Sequence, residues 1–265
     1  ARRRRARTCG PTSVQDDTIA WYENDGSQSF AERIISALSA QAEIVSAADV
    51  DGDGDVDVLS GLCAYDTIAW WENDGSQSFA EHVITTLADC AIDVSATDLD
   101  GDGDVDALSA SWEDSTVSWY ENDCDTHAPS PAPTPRPTVS CASVAFSERV
   151  ITTLADGASC SYAIDVDGDG DVDVLSASYL DDTVAWYEND GSQSFTVRVL
   201  TAVAEETHSV FAIDVDGDGE VDVLSASMYD DTVAWYRNDG ALVFTERVIT
   251  TRLDHDDDTV AWYEN

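Results

Sequence analysis

Asp49-Val-Asp-Gly-Asp-Gly-Asp-Val-Asp57 is the stretch from which the rest of the chain can be read. It recurs as Asp98–Asp106, Asp165–Asp173 and Asp214–Asp222, at spacings of 49, 67 and 49 residues. A second marker, W-[WY]-[ER]-N, begins at Trp21, Trp70, Trp119, Trp186 and Trp235 and returns at Trp262. The period is therefore 49, with 18 extra residues in one unit and a shortened last unit. Self-similarity at a fixed period of this size marks a repeat architecture.

Inside one period the pattern is that of strands. Ile44–Ala47 leads into the Asp-rich loop and Val56–Ser60 leads out of it. Thr67–Trp71 follows, then Asn73-Asp-Gly75, then Phe79–Thr86. Such β-branched and aromatic content, broken by short turns, predicts four strands per unit. Asn-Asp-Gly reads as a tight hairpin turn, because Asn and Gly accept positive φ. No stretch has helical periodicity.

Four strands per repeat of 40–50 residues predict propeller blades. The fold class expected is all-β, a β-propeller of about five four-stranded blades over residues 17–265. Whole units span Ile44–Thr86, Ile92–Thr153, Tyr162–Thr201 and Phe211–Thr251. A half unit, Asp17–Ser36, precedes them and a lone third strand, Thr259–Asn265, follows. Both ends thus offer a third strand and do not complement each other cleanly. An unpaired strand edge needs cover, from the half unit, a longer native chain or a neighbouring copy.

The loops carry the chemistry. Ca²⁺ takes six to eight oxygens at 2.3–2.6 Å. Asp at positions 1, 3, 5 and 9 supplies four carboxylates, glycines at 4 and 6 allow the curl, and the carbonyl of position 7 adds an oxygen. The carboxylates are Asp49, Asp51, Asp53 and Asp57; Asp98, Asp100, Asp102 and Asp106; Asp165, Asp167, Asp169 and Asp173; and Asp214, Asp216, Asp218 and Asp222. Position 7 is Asp55, Asp104, Asp171 or Glu220. An EF-hand would carry Glu at position 12. Here that position is Ser60, Ser109, Ser176 or Ser225, between strands, so the helical EF-hand is rejected and its metal chemistry kept. The competing reading is four acidic turns that bind nothing, against which stands the repulsion of crowded carboxylates. About four Ca²⁺ ions are expected.

These four D-[VL]-D-G-D-G-[DE]-V-D loops resemble those of the FG-GAP/VCBS repeats, found in the integrin α-subunit propeller and in many bacterial and algal surface proteins. The resemblance runs from about Asp17 to Asn265. It implies one Ca²⁺ per blade, held between the first two strands. Rings of that family usually have seven blades, and this chain has four whole units plus fragments. No integrin ligand-binding residue carries over, since nothing outside the loops matches.

Composition narrows the partners. Against 54 Asp and Glu stand 12 basic residues, all Arg, for a net charge of −42. That self-repulsion opposes compaction unless cations are bound, and it disfavours nucleic acid, which needs a basic face. No apolar run approaches the roughly 18 residues that span a bilayer. Residues 1–16 form an Arg-rich tail with no apolar stretch behind it, so the chain reads as mature or truncated. Six cysteines without a C-x-x-C pair lean toward disulfides and an extracellular or cell-surface location.

The 18-residue insertion lies in a third-to-fourth-strand hairpin. Prolines 129, 131, 133, 135 and 137 enforce an extended rod, bracketed at 124–141 by Cys124 and Cys141, whose pairing is geometrically natural. It is either a tolerated insertion or a projecting Ser/Thr/Pro rod that carries O-glycans or meets a neighbour. Cys63–Cys90 is the pair slightly favoured among the rest. The shared tryptophans read as core, whereas Trp71 and Trp112 fall outside the shared position and read as surface residues. His82, His127, His208 and His255 share no repeat position, and no hydrolase, P-loop or dinucleotide fingerprint appears. The expectation is a non-enzymatic extracellular calcium-binding module for adhesion or a surface fibre, with a protein partner or its own copies. A lectin-like propeller is the alternative, for which exposed Trp71 and Trp112 would argue.

Overall fold

A computed structural model of the chain describes residues 18–37, 42–123 and 144–251. The Arg-rich tail, the Cys124–Cys141 insertion and the strand expected at Thr259–Asn265 lie outside the described residues. The chain divides into two compact units, residues 1–154 and 155–265.

The first unit holds three antiparallel sheets. Strands β1 (Ile19–Asn24) and β2 (Phe30–Ser36) pair alone. Strands β3 (Ala42–Ala48), β4 (Asp57–Leu62), β5 (Thr67–Asn73) and β6 (Phe79–Thr85) form a four-stranded meander. So do β7 (Ala91–Thr97), β8 (Asp106–Ser111), β9 (Thr116–Asn122) and β10 (Phe146–Thr152). The second unit holds two more meanders. One is β11 (Ala158–Ile164), β12 (Asp173–Ser178), β13 (Thr183–Asn189) and β14 (Phe195–Thr201). The other is β15 (Thr207–Ile213), β16 (Asp222–Ser227), β17 (Thr232–Asn238) and β18 (Phe244–Thr250). The four strands per period and the leading half unit are as the repeat predicts. Among the described residues the one helical element is a 3₁₀ turn at Cys63–Tyr65, and no helix is long and apolar enough to cross a membrane.

Within each unit one four-stranded sheet is covered by the first strand of another: β7 packs across β3, β4 and β5, and β15 across β11, β12 and β13. Side chains alternate faces along a strand, so a third strand covered on both sides must be apolar throughout. On β5, Ile68 and Trp70 share a core with Leu59 of their own sheet and with Val94, Ala107 and Tyr120 of the following one. Ala69 and Trp71 point the other way, into a core with Ile19, Ala42, Leu62 and Ile35. Trp71 is therefore 2% exposed, which corrects its reading as a surface residue. It occupies the place of Tyr120, Tyr187 and Tyr236, all buried. Trp112 is half-buried in a turn. In the second unit Trp186 and Tyr236 share a core in the same way, with Leu175, Val184 and Val210.

The approach of β7 to β4 is close. A Cβ on Gly61 would lie 2.6 Å from the carbonyl oxygen of Ala91. Beside this contact the Cys63–Cys90 disulfide ties the end of β4 to the start of β7. The hairpins between third and fourth strands are wider than the tight turn expected. Asn73 stays in β5, and residues 74–78 form a loop closed by the Asp74 amide on the Ser78 carbonyl at 3.1 Å. Its left-handed residues are Gly75 and Gln77, and Asp74 Oδ1 accepts the amides of Ser76 and Ser78. The Ser76 hydroxyl on that carboxylate is the main reason its pKa lies below the usual carboxylate value.

Candidate metal centres in the aspartate loops

The four Asp loops join the first strand of each four-stranded sheet to its second. The chain curls there because backbone amides turn onto the first carboxylate. In the second loop Asp98 accepts the amides of Gly101 at 2.8 Å and Gly103 at 3.0 Å. Both glycines have φ in the left-handed region, +77° and +97°, where a side chain would be strained. Asp165 and Asp214 hold their glycines alike. Positions 3 and 5 each give one oxygen to the amide two residues on, as Asp51 does to Asp53 and Asp53 to Asp55. In that first loop one oxygen of each carboxylate is thus committed to the backbone, and the other is not.

Three carboxylates converge in every loop, each offering an oxygen within 4.8 Å of the other two. The groups are Asp49, Asp51 and Asp53; Asp98, Asp100 and Asp106; Asp165, Asp167 and Asp173; and Asp214, Asp216 and Asp218. A cation with oxygens at 2.3–2.6 Å spans such a separation, so these four clusters could hold metal ions. No loop brings all four carboxylates of positions 1, 3, 5 and 9 into one cluster. Asp57, Asp102, Asp169 and Asp222 stand outside. The side chains of position 7 turn elsewhere: those of Asp55, Asp171 and Glu220 lie against Gly75, Gly191 and Gly240 of the neighbouring hairpin. Asp104 is buried.

Position 9 has a second task. Asp57 accepts the Val50 amide and the Asn73 amide, both at 2.8 Å. Asp106, Asp173 and Asp222 do the same with Leu99 and Asn122, Val166 and Asn189, and Val215 and Asn238. Each of these buried carboxylates ties its loop to the end of the third strand. The Asn of the W-[WY]-[ER]-N motif completes the tie. Asn122 Nδ2 donates to the carbonyls of Val50 and Val105, at 3.0 Å each. Asn189 and Asn238 bond Val172 and Val221 and accept the hairpin amides of Gly191 and Gly240. From sequence this Asn reads only as a turn former; its identity in every unit is the signal of its second role.

The electrostatics favour a cation. Burial pushes the Asp57 carboxyl up to about 6, Asp106 to about 7 and Asp173 to about 6, although two amides pull each the other way. Asp51, Asp100 and Asp167 are raised as well, first by burial and then by neighbouring carboxylates. Asp49 Oδ1 is a buried carboxylate oxygen without a hydrogen-bond donor, which a bound cation would satisfy.

A second repeated group lies on the third and fourth strands. Trp70 faces His82 across β5 and β6, and Trp119, Trp186 and Trp235 face Arg149, Arg198 and Arg247. The guanidinium carbons sit 5.0–5.8 Å from the indole centroids, and His82 stacks on Trp70 at 4.8 Å. His82, Arg149 and Arg198 each pair with the motif's acid, Glu72, Glu121 or Glu188. In the last sheet that acid is replaced by Arg237, which pairs instead with Asp216 and Asp218 of its own loop. Hydrogen bonding to Arg237 holds the Asp216 pKa below the usual value, opposite to its counterparts.

Comparison with known proteins agrees with this repeat. The family model described as FG-GAP-like repeat matches residues 10–60, 165–225 and 214–263. No curated protein matches by sequence. Among solved structures, a Lactobacillus plantarum protein is similar with a TM-score of 0.53 at 12% identity, over 85% of this chain and 60% of that one. The V. cholerae biofilm matrix protein Bap1 gives a TM-score of 0.49 at 18% identity, over 84% of this chain and 30% of that one. The chain thus spans less than two thirds of either. At such identity the first likeness speaks to fold alone.

Proposed function

This chain belongs to the FG-GAP-like repeat family, and from that membership we propose that it is a non-catalytic, calcium-binding module that works outside the cell in adhesion or in a surface assembly such as a fibre. The observation that carries the proposal is that a three-carboxylate cluster is built in all four loops, at the same place in a repeated sheet. All donors are hard oxygens, which suits Ca²⁺ over softer metals. Bound to the three clustered carboxylates, the cation would cancel part of the −42 charge and fix each loop to its sheet. The meander sheets serve as blades of a propeller. The disulfide suits an oxidising compartment, where calcium is plentiful enough for modest sites. The glycan-binding alternative leaned on exposed Trp71 and Trp112, and loses one of them to the core.

The test is direct. Beads coated with the full chain should cluster in millimolar calcium and disperse in EDTA. Calcium uptake without any change in bead or chain association would leave a metal-binding fold and remove the adhesive role. A calcium-dependent hit on a glycan array would hand the module to the lectin reading.

A further inference from the structure

The fourth loop differs from the other three in one residue outside it. Where β5, β9 and β13 place Glu72, Glu121 and Glu188, β17 places Arg237. Its Nε donates to Asp216 Oδ2 at 2.5 Å and its Nη2 to Asp218 Oδ2 at 2.8 Å. Asp216 and Asp218 are two of the three carboxylates that converge there. The other oxygen of Asp218 is held by the Glu220 amide at 3.0 Å. Asp218 therefore has both oxygens engaged within the protein, and a planar guanidinium fork suits two carboxylates held side by side.

The exchange also runs the other way through the sheet. In the other units the acid at this position pairs with the basic residue that stacks on the tryptophan. Arg247 stacks on Trp235 at 5.0 Å just as its counterparts do, with Arg237 now in the acid's place. The acids of the other units lie close enough to Asp51, Asp100 and Asp167 to add negative charge beside those loops. The last unit has a positive charge there instead.

We propose that the Arg237 guanidinium is the resident cation of the fourth loop, so that this loop keeps its shape without metal and takes calcium last. The second half rests on the calcium reading above, and the first half does not. Exchanging a negative for a positive charge about 5 Å from a divalent ion weakens its binding roughly ten- to a hundredfold at physiological salt. The ion must also displace the guanidinium from the two carboxylates.

Hydrogen exchange on the full chain, read by peptide mass, separates the two halves. In EDTA, residues 214–222 should exchange more slowly than 49–57, 98–106 and 165–173, and Arg237→Gln should erase the difference. In a calcium titration the first three loops should become protected at roughly tenfold or more lower calcium than the fourth. Arg237→Glu, which restores the residue of the other units, should bring the fourth into line. Equal exchange of all four loops in EDTA would overturn the proposal, and so would a fourth loop that saturates with the rest in the wild type. If no loop responds to calcium the calcium reading fails, while the EDTA comparison still decides whether Arg237 holds the loop.

Discussion

Replacing Asn122 by Ala tests how the loops are tied to the sheets. Asn122 is fully buried, and its amide group donates to two carbonyls at 3.0 Å, Val50 of the first loop and Val105 of the second. Alanine leaves both carbonyls short of that donor, at about 1–3 kcal/mol for each group that stays buried and unsatisfied. The loss should come to about 3 kcal/mol, because water can reach part of the opened space. For a chain of this size each kcal/mol moves the melting point by about 2–4 °C, so the Asn122→Ala melt should fall by roughly 6–12 °C. Asn73 is the internal control. It makes the same bond, to Val56 at 3.1 Å, but in an exposed setting where water can replace it. Asn73→Ala should shift the melt by no more than about 3 °C. Both variants are neutral, so melts followed by circular dichroism in EDTA read the tie without the metal. Equal shifts for the two would refute the argument that burial sets the strength of the tie.

The remaining predictions concern the disulfide and one tyrosine. Cys63 and Cys90 are 27 residues apart, so the chain-entropy model gives roughly 3.5 kcal/mol for their bond. Non-reducing peptide maps should recover the two linked, and reduction should lower the melt; free thiols at both positions in protein made under oxidising conditions would contradict the pairing. Burial pushes the Tyr120 phenol up to about 12. Its neutral form is therefore favoured in the fold, and stability present below pH 10 is lost as the pH rises toward 12, by about 3 kcal/mol in all. An ultraviolet titration should show a late-ionising tyrosine that Tyr120→Phe removes. A single step near 10 with the fold intact would count against it.

The period was legible because the Asp loop and the W-[WY]-[ER]-N motif repeat nearly unchanged, and strand order followed because consecutive strands pair as neighbours in a meander. What escaped were facts that depend on contact between sheets. Trp71 reads as an outlier in its own strand, and only the sheet laid over that face makes it core. Asp57, Asp106, Asp173 and Asp222 read as plain ligands, yet each also holds two backbone amides from separate segments. Asn73-Asp-Gly75 reads as a tight turn because Asn tolerates positive φ. Here Asn73 is kept in the strand by the Val56 carbonyl, and Gln77 takes the second left-handed position. Arg237 looks like harmless variation in a motif until its guanidinium is seen on the carboxylates of its own sheet's loop.

If the Asp loops bind calcium as proposed, the fold depends on that ion. Calorimetric melting of the full chain in EDTA, in calcium and in magnesium tests it most directly. Each site filled at a thousandfold excess over its Kd stabilises the fold by about 4 kcal/mol, so calcium should raise the melting point steeply, and magnesium, which favours compact octahedral sites, much less. Superimposable melts in EDTA and calcium would contradict the account.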